Sequence, residues 1–364
     1  MARCGRVATV ALIYIGTVVG AGFASGQEIW FFFSRFQEKG WLGIVLSVLL
    51  LGSLGAKAME WGRCGVESYS DFLTALVGPY YGKFCDLVMT VFLFVLSGVM
   101  LAGSGAVTVE LGWGRALGSW LTVFLTVLVV SRRLTGLKGV NLLIVPMLFL
   151  MGLVLNLNGK HVLPPAGATF APPRGWLLSA LQYSAYNLVM SLPVLVTLYQ
   201  LEPEPSVLRW GGWAGGLALG LLAILQHLVL RRYNFATIDL PLLYLTQKWN
   251  RWWRYLYSFV LWGELFTTLV AHAYGLSSRF KLTKGKGGPL KLGALLALAV
   301  VVSRMGFARL IARFYPLFGF FSLTVLLPLA LRPLPAVRKE KEIYRKKGIF
   351  VQREVDINNR RKLL

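Results

Sequence analysis

The sequence predicts an all-α polytopic membrane protein: ten transmembrane helices in a five-plus-five inverted repeat, with the first and sixth helices broken. Three observations carry that prediction. The chain is 56% hydrophobic and only 15% charged over 364 residues, with a mean hydropathy of +0.63, far from the balance of a soluble domain. Its apolar residues gather into ten segments, near 7–33, 41–59, 84–109, 116–131, 137–157, 176–199, 210–230, 255–276, 290–303 and 314–331. Most reach the roughly 20 residues a spanning helix needs. Two of them, the first and the sixth, carry at their centres residues for which a helix in lipid has no use.

The Pro-rich stretch LPPAGATFAPPR (163–174) divides the segments five and five. An odd number in each half makes the halves cross in opposite directions, the arrangement of inverted-repeat transporters. Landmarks recur at nearly one offset: Gly20 with Asn187 at the span centres, Asp71 of ESYSDFLTALVGPYYG with Asp239 of FATIDLPLLYLTQKWN, and Pro146 with Pro316. The expected organisation is a first five-helix repeat over 1–160, a second, inverted one over 161–335, and a basic cytoplasmic tail over 336–364.

The first segment starts beside Met1 and lacks a small-residue cleavage pattern, so a retained helix is expected rather than a signal peptide. The stretch KWNRWWRYLY (248–257) sets Trp249, Trp252, Trp253, Tyr255 and Tyr257 beside Arg251 and Arg254. Such a mixture suits a membrane interface and predicts the entry of the eighth span. Cys4, Cys64 and Cys85 are odd in number and lack metal-ligand spacing, so free thiols are expected. The net charge of +23 reads as membrane orientation and attraction to anionic lipid, not as nucleic-acid binding. Lys and Arg concentrate in the loop KLTKGKGG (281–288) and in the tail, which places both termini on the cytoplasmic side of the cell (inner) membrane.

The centre of the first segment is GTVVGAGFASGQEIWFFF (16–33), with Gly16, Gly20, Gly22 and Gly26. Its two G-x-x-x-G patterns offer one reading, close helix packing. A second reading is a break. Each glycine costs a helix roughly 0.8–1.0 kcal/mol relative to alanine, and Ser25 to Glu28 has the S-x-x-E form of a capping box. The helix would then open between Gly20 and Ala24 and restart at Ser25. Unwound backbone at that depth lines a cavity or is buried by protein. It offers carbonyls to a cation and a helix N-terminus to an anionic group.

The candidate substrate-binding residues are therefore Gly20, Gly22, Ala24, Ser25, Gly26, Gln27 and Glu28, joined by Tyr186, Asn187 and Ser191 from SAYNLVMSLPVL (184–195). There Pro193 predicts the second break. Glu28 has two readings, a helix cap or a buried carboxylate that binds an amine or carries a proton.

In the eighth span, LWGELFTTLVAHAYG, Glu264, Thr268 and His272 stand at i, i+4 and i+8, with Thr267 at the edge of that face. An acid and a histidine within a membrane face protein or water. The threonine hydroxyls either serve a small monovalent cation or bond the backbone one turn earlier. His227, alone in the seventh span, reads as a packing residue. There is no G-x-x-x-x-G-K-[ST] loop and no H-E-x-x-H, and the three histidines are far apart. ATP-driven transport and zinc-peptidase chemistry are therefore not expected, and no enzyme activity is expected.

The stretches GAGFASGQEIW and GRCGVESYSDFL, with the ten-span plan, resemble the YkvI-type bacterial membrane proteins, a permease-like family of the amino acid/polyamine/organocation superfamily. The likeness extends to about residue 331. It implies the leucine-transporter-like fold, with substrate between the first, third, sixth and eighth spans. In sodium-coupled members of that fold a cation sits between first-span carbonyls and eighth-span hydroxyls. The matching positions here are the backbone of Gly20 and Phe23 with Thr267 and Thr268, an expected site for Na⁺, while Glu28 and Glu264 are the expected proton sites.

The expected function is secondary active transport of a small organic solute, an amino acid or an amine, by alternating access. Coupling is to Na⁺ or H⁺ through Gly20, Phe23, Glu28, Glu264, Thr267, Thr268 and His272. The competing expectation is a receptor similar to the permease-like subunits of spore-germination complexes, which binds a solute without moving it. The expected partners are the solute and, at the tail, anionic lipid.

Overall fold

The computed structural model describes residues 3–64, 68–132, 138–157, 175–282 and 287–334. Its regular structure there is entirely helical. The first apolar segment is divided into α1 (Arg3–Val18), α2 (Ala21–Ala24) and α3 (Gln27–Phe32), and a 3₁₀ segment, Ser34–Lys39, turns it into α4 (Gly40–Gly62). Next come α5 (Tyr69–Val77), α6 (Pro79–Glu110), α7 (Arg115–Ser131) and α8 (Lys138–Leu157). The later elements are α9 (Trp176–Leu195), α10 (Pro205–Leu230), α11 (Pro241–Leu245), α12 (Arg251–Arg279), α13 (Gly288–Ser303) and α14 (Phe307–Leu331).

Among the described residues, six helices are long and apolar enough to cross a membrane: α4 with the 3₁₀ segment before it, α6, α9 with the 3₁₀ turn after it, α10, α12 and α14. The apolar α7 and α13 are shorter. The chain is thus a multi-pass membrane protein. Pro146 and Pro316 lie inside α8 and α14. The connection 163–174, the 160/161 boundary, residues 283–286 of the basic loop and the tail 336–364 lie outside the described residues.

The helix α10 packs along α4 and α1, α9 lies against α14, α4 and α1, and α12 lies on α6. Apolar burial alone gives helices little reason to associate in lipid, so packing and interhelical hydrogen bonds carry the assembly. Outward positions such as Phe124, Leu217 and Phe259 are exposed, as a lipid-facing surface requires.

Ion pairs tie both ends of the bundle. At the end where α1 begins, Arg6 pairs with Glu202 at 3.2 Å and with Glu204, and Arg209 pairs with Glu60 at 2.7 Å. The Ser206 hydroxyl and Arg6 hold the Glu204 carboxyl below the usual glutamate range. At the opposite end Arg254 pairs with Glu110 at 3.3 Å, and Arg115 with Asp239 at 3.1 Å. The other oxygen of Asp239 accepts from the Ala308 N–H at 3.0 Å. It thereby caps α14, whose own N-cap residue, Gly306, has no side chain to offer. Loss of a cap of this kind costs about 1 kcal/mol. Asp239→Ala is accordingly expected to lower the thermal unfolding midpoint in detergent by a few degrees, and an unchanged midpoint would show the cap to be dispensable.

Two sequence expectations are corrected here. The sixth helix is not broken: α9 runs unbroken through Asn187 and Pro193, and the chain leaves helical form only at Val196 and Thr197, before the 3₁₀ turn Leu198–Gln200. Pro193 sits two residues from the end of α9; it removes the bond to the Val189 carbonyl without ending the helix before Leu195. The polar groups that suggested a break are bonded within the helix, Asn187 Nδ2 to the Tyr183 carbonyl at 3.0 Å and Ser191 Oγ to the Asn187 carbonyl at 2.8 Å. The second correction is Tyr257, which is fully buried, while Trp252, Trp253 and Tyr255 of the same stretch are exposed. It belongs to the interior, not to the aromatic belt.

Candidate functional site

The site forms where α1 stops. Gly20 is extended (φ −128°, ψ −174°), and α2 is a single turn closed by Ala24 N–H on the Gly20 carbonyl at 2.8 Å. Gly26 then adopts φ +80°, a left-handed conformation that glycine takes without the strain a side chain would bring. The chain resumes as α3 with Trp30 N–H on the Gly26 carbonyl at 2.9 Å. The first helix is broken, but at Val19–Gly20 and at Ser25–Gly26, on either side of the expected window, within which Ala21–Ala24 form a helical turn.

The glycines do not serve close helix packing as the G-x-x-x-G reading proposed. A Cβ on Gly16 or Gly20 would meet nothing within 4 Å. On Gly22 it would fall 2.6 and 2.7 Å from Cγ and Cδ of Glu28, and on Gly26 2.6 Å from Cγ of Leu242. Gly22 leaves room for a carboxylate, and Gly26 for a side chain of α11.

The backbone of the break is satisfied by distant elements, as unwound backbone inside a membrane protein must be. Ala24 O accepts from the Tyr257 hydroxyl at 2.7 Å, and Ser25 O from the Leu242 N–H at 3.0 Å. Farther on, the Ser179 hydroxyl donates to Phe32 O at 2.8 Å, and the Trp30 indole to Tyr233 O at 3.2 Å. Thus α12 and α11 hold the first segment at its break, while α9 and the loop after α10 hold α3.

The capping box does not form. The N-cap of α3 is Gly26, without a side-chain bond. Ser25 Oγ donates to Gly22 O at 3.0 Å and accepts from Gln27 N–H at 3.3 Å. That local turn competes with a cap and moves the restart to Gln27. Glu28 is freed from the cap role and turns inward. It is 4% exposed, lies over Gly22, and accepts a hydrogen bond from the Tyr186 hydroxyl of α9.

Aromatic rings wall this carboxylate. Phe32 stands 5.5 Å from Tyr183 and 5.6 Å from Tyr186, and Tyr186 stands 5.1 Å from Tyr315 of α14. Among the described residues no Lys, Arg or His forms an ion pair with Glu28; the paired acids are others. Beside it Gln27 is 1% exposed, with its side-chain oxygen unpartnered.

The eighth-span residues form a separate group on α12. Thr267 Oγ1 bonds the Glu264 carbonyl at 3.2 Å, the local alternative to cation binding, and Thr268 Oγ1 reaches Glu264 Oε1 at 3.5 Å. Glu264 and His272 are buried, and His272 Nδ1 has no partner. The carbonyls of Gly20 and Phe23 each already accept a backbone N–H, at 2.8 and 3.0 Å. Each of the four groups expected to hold Na⁺ thus makes a hydrogen bond within the protein and keeps an oxygen lone pair. His227 behaves as a packing residue, with Nδ1 3.0 Å from Ser34 Oγ and its ring edge-on to Trp41. Cys4, Cys64 and Cys85 form no disulfide among the described residues.

Sequence reasoning missed Tyr183, Tyr257, Tyr315 and Leu242. The spacing of Tyr183 and Tyr186, one helical turn apart, was the available signal for the first. The others carry none, because their partners are remote in sequence.

This geometry can be set beside known proteins. The chain is 32% identical over 340 residues to the uncharacterized membrane protein YkvI of Bacillus subtilis (strain 168), covering 92% of this chain and 98% of YkvI. The chain belongs to the YkvI family. The protein YyaD of the same organism is 26% identical over 332 residues, covering 89% of this chain and 96% of YyaD. No protein-family model matches the chain.

Among solved structures, a mutant of the Eremococcus coleocola manganese transporter superposes with a TM-score of 0.52 at 13% identity, covering 88% of this chain and 78% of the transporter. At that identity the likeness speaks for the fold alone. This YkvI-family chain thus shares a helical architecture with a transporter while its site residues must be judged on their own chemistry.

Proposed function

We propose that the protein is a secondary active transporter of a small amine-bearing solute, an amino acid or a simple amine, driven by protons exchanged at Glu28. Ten segments cross the inner membrane as two inverted sets of five, with both termini cytoplasmic, and no covalent chemistry is performed. The observation that carries this reading is a carboxylate buried at a helix break, without a cationic partner among the described residues and held by one tyrosine hydroxyl. Such a group is costly as a bare charge in a membrane interior and is relieved by a proton or by a bound ammonium. Two occupants competing for one carboxylate supply the exchange that couples a solute to protons. The break beside it supplies backbone that rearranges without melting a helix.

Manganese, the cargo named for the solved neighbour, suits this site poorly. Among the described residues no three His, Cys, Asp or Glu side chains converge to hold a metal ion, whereas Mn²⁺ is best served by several hard ligands together.

The test is uptake into liposomes containing the purified protein. Labelled amino acids and amines are offered with an inward proton gradient, an inward Na⁺ gradient, or neither. Accumulation above equilibrium under the proton gradient is expected. Accumulation under the Na⁺ gradient alone would return coupling to Gly20, Phe23, Thr267 and Thr268. A solute that stabilises the protein yet is never transported would replace the transporter with the receptor.

A further inference from the structure

At the end of the bundle where α6 begins and α12 finishes, these two helices and the start of α13 enclose a groove of about 550 Å³. That volume lies within the usual range of ligand-binding clefts, roughly 300–1,000 Å³. Lys83, in the first turns of α6, Asp86 and Thr90 on the same helix, and Arg279, the last residue of α12, form its polar lining. Leu87 and Val91 follow Lys83 along one face of α6, and Leu295 of α13 completes the apolar wall. Lys291 of α13, exposed and one turn before Leu295, is outside the groove lining but on the same side of its helix as Leu295.

The cations are incompletely neutralised. Lys83 makes no ion pair among the described residues. Arg279 bonds the Asp86 carbonyl at 3.1 Å, Asp86 Oδ1 at 2.7 Å and Thr90 Oγ1 at 2.8 Å, all through Nη1. Its other guanidinium nitrogens make no hydrogen bond among the described residues. Leu87 and Val91 are 60% and 57% exposed, and in a chain that crosses a bilayer they meet hydrocarbon.

We propose that this groove binds an anionic phospholipid, with its phosphate at Lys83 and Arg279 and one acyl chain along Leu87, Val91 and Leu295. A guanidinium fork and an ammonium suit a phosphate, and basic pockets between membrane helices suit anionic headgroups. A free anion would use only the cations and gain nothing from the wall. A second copy of this chain would set like charges against each other across a two-fold contact. The lipid braces α6, α12 and α13 together at one membrane face.

The full chain is purified in detergent and examined by native mass spectrometry and thermal unfolding. The added probe is phosphatidylglycerol, phosphatidylcholine or inorganic phosphate. Phosphatidylglycerol is expected to stay bound and to raise the midpoint by several degrees, the other two to do neither. Lys83→Gln with Lys291→Gln is expected to reduce its retention at least fivefold without lowering the lipid-free midpoint. Leu87→Trp, which fills the wall and keeps the cations, is expected to do the same. The basic tail is present in every sample, so its own lipid binding cancels in these differences. The proposal fails if the variants retain phosphatidylglycerol like the parent, if phosphatidylcholine or phosphate stabilises equally, or if two chains associate with no lipid held.

Discussion

Glu28→Gln is expected to abolish proton-driven accumulation of solute while leaving solute exchange across the membrane measurable. The amide matches the carboxylate in shape, and its oxygen can still accept from the Tyr186 hydroxyl, so the wall of Phe32, Tyr183, Tyr186 and Tyr315 stays in place. It neither takes up a proton nor pairs with an ammonium. Removing one partner of a buried charge contact costs about 2–5 kcal/mol, which corresponds to solute affinity weaker by about 30-fold or more. Glu264→Gln is the matched comparison. Glu264 is equally buried, but its nearest polar partner is Thr268 of its own helix. Both variants are reconstituted in liposomes and assayed for gradient-driven uptake and for counterflow. If Glu28→Gln accumulates solute like the parent protein, Glu28 is not the coupling group. If only Glu264→Gln fails, coupling moves to α12.

What the sequence disclosed about the fold follows from how local each signal is. Composition and apolar run length are summed over many residues, so the multi-pass helical class was legible at once. The broken first helix was legible as well, because four glycines within one turn-rich stretch make continuous helix expensive wherever the chain is placed. The intact α9 was not. A proline and an asparagine at mid-span look like a break, but whether they make one depends on where the helix ends and on which carbonyls accept their bonds. Here Asn187 and Ser191 bond within their own helix, and the end follows Pro193 closely.

The site was legible in residue identity and not in role. Ser25 and Glu28 have capping-box spacing, and nothing local reveals that Ser25 turns back to Gly22 or that Tyr186 claims the carboxylate. Tyr257 shows the same limit more sharply. Its neighbours Trp252, Trp253 and Tyr255 face outward, and one position decides between a membrane anchor and the hydroxyl that holds the Ala24 carbonyl. Assignments of this kind need the fold, because the deciding partner is more than 150 residues away.

The sharpest test of the geometry is Gly22→Ala, one methyl group placed where Glu28 now lies. Its Cβ would stand 2.6 Å from Glu28 Cγ, closer than packed carbon atoms tolerate, and the side chain cannot retreat easily because Tyr186 holds its far end. Adding a methyl to a filled interior costs about 1–3 kcal/mol, so a drop of several degrees in Tm is expected together with loss of gradient-driven uptake. Gly16→Ala separates a local clash from a general need for glycine. A Cβ at Gly16 meets nothing within 4 Å, and alanine favours helix by up to about 1 kcal/mol. That variant should keep both Tm and uptake. The combination of Gly22→Ala with Glu28→Ala, which removes the Cγ and Cδ that a Cβ at position 22 would meet, then isolates what Gly22 is for. Residues in contact deviate from additivity. If Gly22 serves transport only by making room for the residue-28 side chain, the double variant transports no worse than Glu28→Ala alone. A further loss of exchange in the double variant would show instead that the bare backbone at Gly22 meets the solute directly.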